Sequence, residues 1–523
     1  MSRKKEYKPL LLTTTVRNPQ RYKQLLNALL SYNGKKLTIN IIDKVVFDLI
    51  SKKVYKPVYI KYVKHLKDQL ADESTPFPVT DTEEIIAHSP QHHKEAGFDD
   101  GWPSRFDTWY KMAKELGFVY YEMNKPIEFS ESGIQLVKSM EPDFVYLENQ
   151  VFLNAYVKYE RNNPFRRVLN TNKPLILLLQ TILELKRIYG NTSAGISRLE
   201  IPLLLCWRDN DFKSLTTLIQ HIRAVYGFTP SEDIIYERCK EMLNVTTVKG
   251  ENRFKKSTIT QELPDEFIRK MRVTGLISIR GNGRFVDFNK FEMNKIEYCL
   301  ENYAALSAEL ETGRKYFNYM KEIDTYLVSI ETTSIIAVTE RDKHFQKWVK
   351  EFSLDTLKSE LLVVCNPRGN CKNEVLKYIS EPVRFEFLTA LALAKVFPEL
   401  KVQANYIIDD EGLPTAFAPG GGADIICYDD FGNILFEVTL LKGTQQNIRE
   451  MPAIQRHLEE TIKNAPDSFS VMVCPRTHTD TVNYSNWLRD TKNLIVVVLE
   501  TKAFIESLGI QKNARAYIKY INK

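Results

Sequence analysis

No stretch of the sequence approaches the roughly twenty consecutive apolar residues that a membrane-spanning helix requires; the best candidate, Phe387–Val396, is far shorter. A membrane protein is therefore not expected. The opening MSRKKEYKPLLLTTTV is basic and then briefly apolar, but Thr13, Thr14 and Thr15 end the run too early for an export signal, and a cytoplasmic protein is expected. The seven cysteines (Cys206, Cys239, Cys299, Cys365, Cys371, Cys427 and Cys474) form no CxxC pair. That pattern points away from structural zinc and from a disulfide framework, and toward buried free thiols. His92 and His93 have no acid or cysteine at ligand spacing and are expected in a solvated loop. Neither sign of charge dominates: a net +6 over 523 residues permits nucleic-acid binding without requiring it. Hydrophobic content of 43% and charged content of 26% are ordinary for a soluble globular protein. The length exceeds what one core accommodates, so several domains are expected.

What the sequence does contain is concentrated at Ala423–Leu441, ADIICYDDFGNILFEVTLL. Apolar runs flank Asp429-Asp430-Phe431-Gly432-Asn433, whose Asp, Gly and Asn supply turn chemistry, so the segment reads as an antiparallel hairpin. Asp424 opens one strand and Glu437 lies in the other, which brings two carboxylates toward one end. Convergent carboxylates suit a hard cation such as Mg²⁺ and the cutting of phosphodiesters; a surface hairpin with solvated acids is the plainer alternative. A Pro-Asp followed by Glu-x-Lys marks the large restriction-type nuclease superfamily. Here Pro419 precedes three glycines and Asp424, but Thr439 stands where that lysine is usual.

Downstream, Asn447–Lys463 has helical periodicity and places Glu450 and His457 two turns apart on one face. Upstream, Ser380–Phe397 reads as a helix started by Pro382, with Glu386 on a face otherwise filled by Phe385, Leu388 and Leu391. An acid there requires a partner, and Arg384, two residues away, faces elsewhere. With Glu386, Asp424, Glu437-Val438-Thr439, Glu450 and His457 in this order, the chain resembles the cleavage domain of the AlwI-type family of type IIS restriction endonucleases and their nicking relatives. That family uses Glu-Val-Thr in place of Glu-x-Lys. Near the other end, Thr-Thr-x-Arg-Asn-Pro-x-Arg, ending with Arg17, Asn18 and Arg21, resembles the opening of the same family; Asn18-Pro19 also suits a helix start flanked by arginines, a good phosphate reader.

Between these ends, a helix over Arg105–Leu116 is followed by strand, Asn124-Lys125-Pro126 turn and strand, and the order recurs over Pro264–Phe288 around Gly281-Asn282-Gly283. Two winged-helix modules are expected, a form that serves DNA reading or plain protein contact. Arg253, Lys255, Lys256, Arg269, Lys270, Arg272, Arg280 and Arg284 crowd the second module, and glycine lets the Arg280–Arg284 hairpin approach a backbone closely. Arg105, with Trp102 and Trp109, is the corresponding group of the first. Phe291–Leu327 reads as long helices spacing reader from cutter.

The resulting expectation is a multidomain chain. Residues 1–165 and 166–290 form an α-rich recognition region of two winged helices, 291–345 a helical linker, and 346–523 an α/β nuclease domain of the PD-(D/E)XK type. The resemblance implies Mg²⁺-dependent hydrolysis of double-stranded DNA a few base pairs outside a short asymmetric site. Asp424, Glu437, the Val438 carbonyl and Glu386 would hold the ion, with Glu450 and His457 acting on the water or leaving oxygen. Lys442 ranks below His457 as a replacement for the motif lysine because its strand parity is wrong. One constellation cuts one strand, so double-strand cleavage would require a transient homodimer or a separate small catalytic subunit. The competing class is a non-catalytic winged-helix DNA-binding regulator.

Overall fold

The computed structural model describes residues 5–12, 20–70, 75–246, 248–307, 311–330, 338–366, 369–417, 421–430, 432–510 and 513–521. Arg17, Asn18, Pro419 and Phe431 fall outside these.

Apolar spacing builds the N-terminal helices. Ile39–Ser51 buries Ile42, Val45, Val46, Leu49 and Ile50, and Thr38 caps it by accepting from the Ile41 N–H at 3.3 Å. The helix Trp102–Glu115 leads into β1 (Val119–Tyr120) and β2 (Glu128–Phe129), an antiparallel pair, and then into Glu131–Lys138, capped by Ser130. A second helix and hairpin follow later: Leu263–Arg272, then β4 (Ile277–Arg280) and β5 (Phe285–Phe288), with β3 (Ile196–Ser197) joining the outer side of β5.

This second hairpin does not stand free. Its β4–β5 turn packs so tightly on the C-terminal part that a Cβ on Gly283 would lie 2.4 Å from the Glu374 carbonyl oxygen, at a φ of +87°. Arg280 bonds Asp287 at 2.9 Å, Asp410 at 2.6 Å and Glu411 at 2.6 Å. Arg272 and Asp409, both buried, pair at 2.8 Å, and Asp265 is shared by Arg198, Lys377 and Tyr378. The glycine-rich turn that suggested close approach to a DNA backbone thus approaches a protein backbone.

Where the sequence reads long helices over 291–327, the chain forms Met293–Tyr303, Gly313–Lys321 and Thr325–Ser329. Tyr298 and Tyr303 both donate to the Asp324 carboxylate, at 3.0 and 2.6 Å, and fold the segment back on itself. Asn154, in the helix Leu147–Lys158, donates to the Glu322 carbonyl and accepts from the Asp324 N–H.

In the C-terminal part the helix Glu381–Val396, with Pro382 in its first turn, is buried along nearly its whole length. After it come β6 (Lys401–Ala404), β7 (Ile407–Ile408), β8 (Pro414–Ala416), β9 (Ile425–Asp429), β10 (Gly432–Val438), β11 (Phe469–Cys474) and β12 (Val496–Glu500). Five of these make one mixed sheet in the order β12-β11-β10-β9-β6, parallel from β10 to β12 and antiparallel from β10 to β6. Alternation then sorts the faces. Ile434 and Phe436 join the large core, whereas Leu435 packs with Met451, Ile454 and Leu458 of the helix Met451–Thr461.

Removing one partner of a buried charge network leaves the others unpaired, a loss of about 3–5 kcal/mol. Arg280→Ala, which leaves Asp410 without its guanidinium and Asp287 with Lys186 alone, should therefore lower stability by up to about that amount in urea unfolding. A loss within the range of an ordinary surface substitution would show that the network does not hold the interface.

Candidate active site

The β9–β10 register pairs Phe436 with Ile425, so its continuation sets Glu437 opposite Asp424. The two are tied through the backbone: the Val438 N–H donates to Asp424 Oδ2 at 2.8 Å, and the Asp424 N–H bonds the Glu437 carboxylate. Glu437 shares its face with Leu435, the face covered by Met451–Thr461, and there His457 Nδ1 meets Glu437 Oε1 at 2.8 Å. With Nδ1 donating to the carboxylate, Nε2 is left as the acceptor, buried and with no hydrogen-bond partner among the described residues.

Glu450 reaches the same space by a different route. A π-helical turn, Gln446–Glu450, precedes the helix, and buried Gln446 fixes it by donating to the carbonyls of Leu441 and Arg476 at 2.9 and 2.8 Å. Thr439 Oγ1 then donates to Glu450 Oε1 at 2.8 Å and accepts from the Leu441 N–H at 3.0 Å. This role of the threonine was not legible in the sequence; only its place after Glu-Val was. Glu386, 3% exposed, has no hydrogen bond or ion pair among the described residues. Its neighbour Arg384 donates instead to the Leu376 carbonyl at 3.1 Å.

Glu386, Asp424, Glu437, Val438, Glu450 and His457 line one cavity of about 290 Å³. Lys442 is not among its walls and lies near Cys365. Burial raises all four carboxyl pKa values. Glu386 is pushed well up by desolvation and then by the charges of Asp424, Glu437 and Glu450; Asp424 and Glu437 are pushed well up by desolvation and by a neighbouring acid, against one backbone N–H each. Glu450 is raised by desolvation and held down in part by Thr439, while desolvation, then Arg456, lowers His457. The roof comes from the N-terminal part. Lys23 and the segment from Ser139 to Val145 close the cavity, Arg449 donates to the Met140 carbonyl at 2.9 Å, and Arg456 pairs with Asp143 at 2.5 Å. Nothing in the sequence pattern joined residues 139–145 to this site.

Oxygen donors crowded together and short of positive charge fit a hard divalent cation. They stand open: among the described residues, the group bringing three ligand atoms within 4.8 Å of one another is His65, Asp81 and Glu84, elsewhere in the chain, where Tyr59 and Gln69 already bond the two carboxylates.

The model of the AlwI restriction endonuclease family matches residues 114–359 and 360–506. The chain belongs to the AlwI restriction endonuclease family. It is accordingly a DNA nuclease, of a class that generally uses divalent metal. No curated protein matches it in sequence. Among solved structures, the small subunit (R.BspD6I2) of the heterodimeric restriction endonuclease R.BspD6I is 21% identical with a TM-score of 0.27, covering 31% of this chain and 86% of that one. Restriction endonuclease FokI is 12% identical with a TM-score of 0.23, covering 99% of each chain. FokI bound to DNA is 12% identical with a TM-score of 0.22, covering 100% of this chain and 99% of that one.

Among the described residues, those proposed from sequence for DNA contact are not gathered in one place. Arg21 donates to the Val54 carbonyl at 2.9 Å, and Arg105 lies on the Tyr55 and Trp109 rings and against His93. Arg253 pairs with Glu6 and Lys256 with Asp233, both at 2.7 Å and both exposed, while Lys255 is exposed with no partner among the described residues. Arg280 is taken up by its three carboxylates, and Arg284 is exposed, with its Nε on the Gly281 carbonyl.

An acid whose folded pKa is raised loses its proton first in the unfolded chain, so its contribution to stability is full at low pH and declines as pH rises toward the folded value. Glu386→Gln removes that decline. Without divalent metal the variant should melt higher than the wild type at about pH 8 and equally at about pH 4. A lower melting temperature at the higher pH would mean that the carboxylate is stabilised by a group other than those around it here.

Proposed function

We propose that this protein is a type IIS endonuclease that binds a short asymmetric DNA site through residues 1–290 and hydrolyses phosphodiester bonds a few base pairs outside it with residues 346–523. The observation that carries the reading is the meeting of Glu386, Asp424, Glu437, Glu450 and His457 in one cavity, where no lysine or arginine among the described residues bonds any of the four acids. The helix–hairpin units at Trp102–Phe129 and Leu263–Phe288 are read as winged helices of the recognition region, with residues 291–345 connecting it to the nuclease domain.

Asp424, Glu437, Glu386 and the Val438 carbonyl would hold Mg²⁺, which when bound polarises the scissile phosphate and lowers the pKa of a water. Glu437 serves a second purpose by orienting the imidazole. With Nδ1 held by the carboxylate, His457 offers Nε2 to accept a proton from the attacking water, and its lowered pKa keeps that nitrogen free at neutral pH. Glu450, steadied by Thr439, is placed to orient the water or to protonate the leaving oxygen. His457 and Glu450 together thus cover the role that a motif lysine fills elsewhere.

One such constellation cuts one strand. Cleavage of both strands requires a second copy of the chain on the DNA or a small catalytic subunit; alone, the chain nicks.

Supercoiled plasmid incubated with the protein should pass to open circles, or to discrete linear fragments where two sites assemble, with Mg²⁺ and not without it. Asp424→Asn and Glu437→Gln should each slow strand cleavage by about 10²–10⁴-fold; cleavage by either at the wild-type rate sinks the assignment. Thr439→Val, which releases Glu450 and the Leu441 N–H, should cost about 10–100-fold. Plasmids of varied sequence left supercoiled in both lanes would favour a DNA-binding regulator instead.

A further inference from the structure

A cleft of about 1090 Å³ lies apart from the cavity that gathers the four acids and His457. One wall carries Lys111, from the helix Trp102–Glu115, and the other carries Arg253, from Val248–Arg253. Between them the bridge of Glu6 to Val168 joins the N-terminal segment to the chain beside Arg167. A ligand filling the cleft would touch both halves of residues 1–290 at once.

Its charges fall into two groups. Those of the floor are already spent: Arg166 bonds Glu115 at 2.6 Å and the Leu11 carbonyl at 2.5 Å, and Lys114 donates to the Tyr121 carbonyl at 2.8 Å. Those of the rim are available. Arg167 is exposed and has no hydrogen bond or ion pair among the described residues. Lys111 holds Glu95 at 3.3 Å with both side chains about a third exposed, and Arg253 holds Glu6 with both about half exposed. Water and salt compete with pairs of this kind, so a stronger anion displaces them. Seven cationic side chains line the cleft against four carboxylates, of which Asp107 and Glu115 are buried.

We infer that this cleft seats the sugar–phosphate backbone of double-stranded DNA, with Arg167, Lys111 and Arg253 as phosphate contacts, an inference that rests on the reading of the chain as a DNA endonuclease. An elongated polyanion suits the site better than a small molecule. Small-ligand pockets are typically mostly apolar, whereas this one is charged at both walls, with Arg167 unpaired among the described residues and the other rim cations in exposed pairs. Of the DNA contacts proposed from sequence, Arg253 belongs to the cleft. Arg167 and Lys111 are new to it, and Arg280 is not needed.

The test is equilibrium binding of a fluorescent duplex of mixed sequence to the full chain at several salt concentrations, without divalent metal. Arg167→Ala and Lys111→Ala should each weaken binding across all sequences and reduce the slope of log affinity against log salt by about one. Arg167→Lys should restore most of the loss, and Lys343→Ala, on the exposed side of another helix, should change neither quantity. Unchanged affinity and slope in both alanine variants would overturn the cleft, and if the same preparations still cut plasmid with Mg²⁺ the nuclease reading would survive that failure. Loss of binding to inorganic phosphate with duplex binding intact would assign the cleft to small anions and overturn the inference. A wild-type chain that neither binds duplex nor cuts plasmid would overturn both.

Discussion

Four carboxyl groups share one cavity with no lysine or arginine bonded to any of them among the described residues, and that is the constraint on which the C-terminal half depends. Each acid alone would turn to water. Here each is held by something it cannot leave: Asp424 and Glu437 by the strand ladder, Glu450 by the Thr439 hydroxyl, and Glu386 by a helix buried along its length. The core therefore supplies the free energy that keeps mutually repelling groups together, and the repulsion is relieved in one of two ways, by protons or by a cation. A fold that concentrates oxygen donors with no bonded lysine or arginine in this way fits a hard divalent cation.

The geometry at the end of the hairpin is set by packing as much as by polar bonds. Leu435 and Phe436 are buried on opposite faces, against Met451–Thr461 on one side and the large core on the other. A slip of β10 by one residue would carry Glu437 from the helix carrying His457 into the core. The register that brings Glu437 to His457 is thus specified by apolar neighbours.

This division explains what the sequence revealed. The hairpin, its turn and the shared face of Glu450 and His457 follow from spacing within about forty residues, and local periodicity carries them. Glu386 was legible because an acid on an apolar helix face is anomalous wherever its partner lies. The hydrogen bond from Thr439 to Glu450 was not, because it depends on the π-helical turn and on Gln446 anchoring the intervening loop. Arg280 was misjudged for a related reason: a count of basic residues along the second hairpin cannot see Asp410 and Glu411, which meet it from more than a hundred residues away. Net local charge is a property of the fold, and only its cations were adjacent in sequence. The segment that roofs the cavity, between Ser139 and Val145, carries no catalytic residue type and so gave no signal.

Two joints of unlike chemistry tie residues 1–290 to the C-terminal part. Arg272 with Asp409 is buried and Arg280 with Asp410 largely so, and their attraction is little screened. The roof is fastened by Arg456 to Asp143, whose side chains are 53% and 46% exposed, and by one hydrogen bond from Arg449. Ionic strength consequently acts on these joints unequally, weakening the exposed one over the chamber more than the buried one. A long polyanion laid against the protein is itself a local source of high field and displaced counterions, so the contact most easily undone by electrolyte is the one that covers the acids.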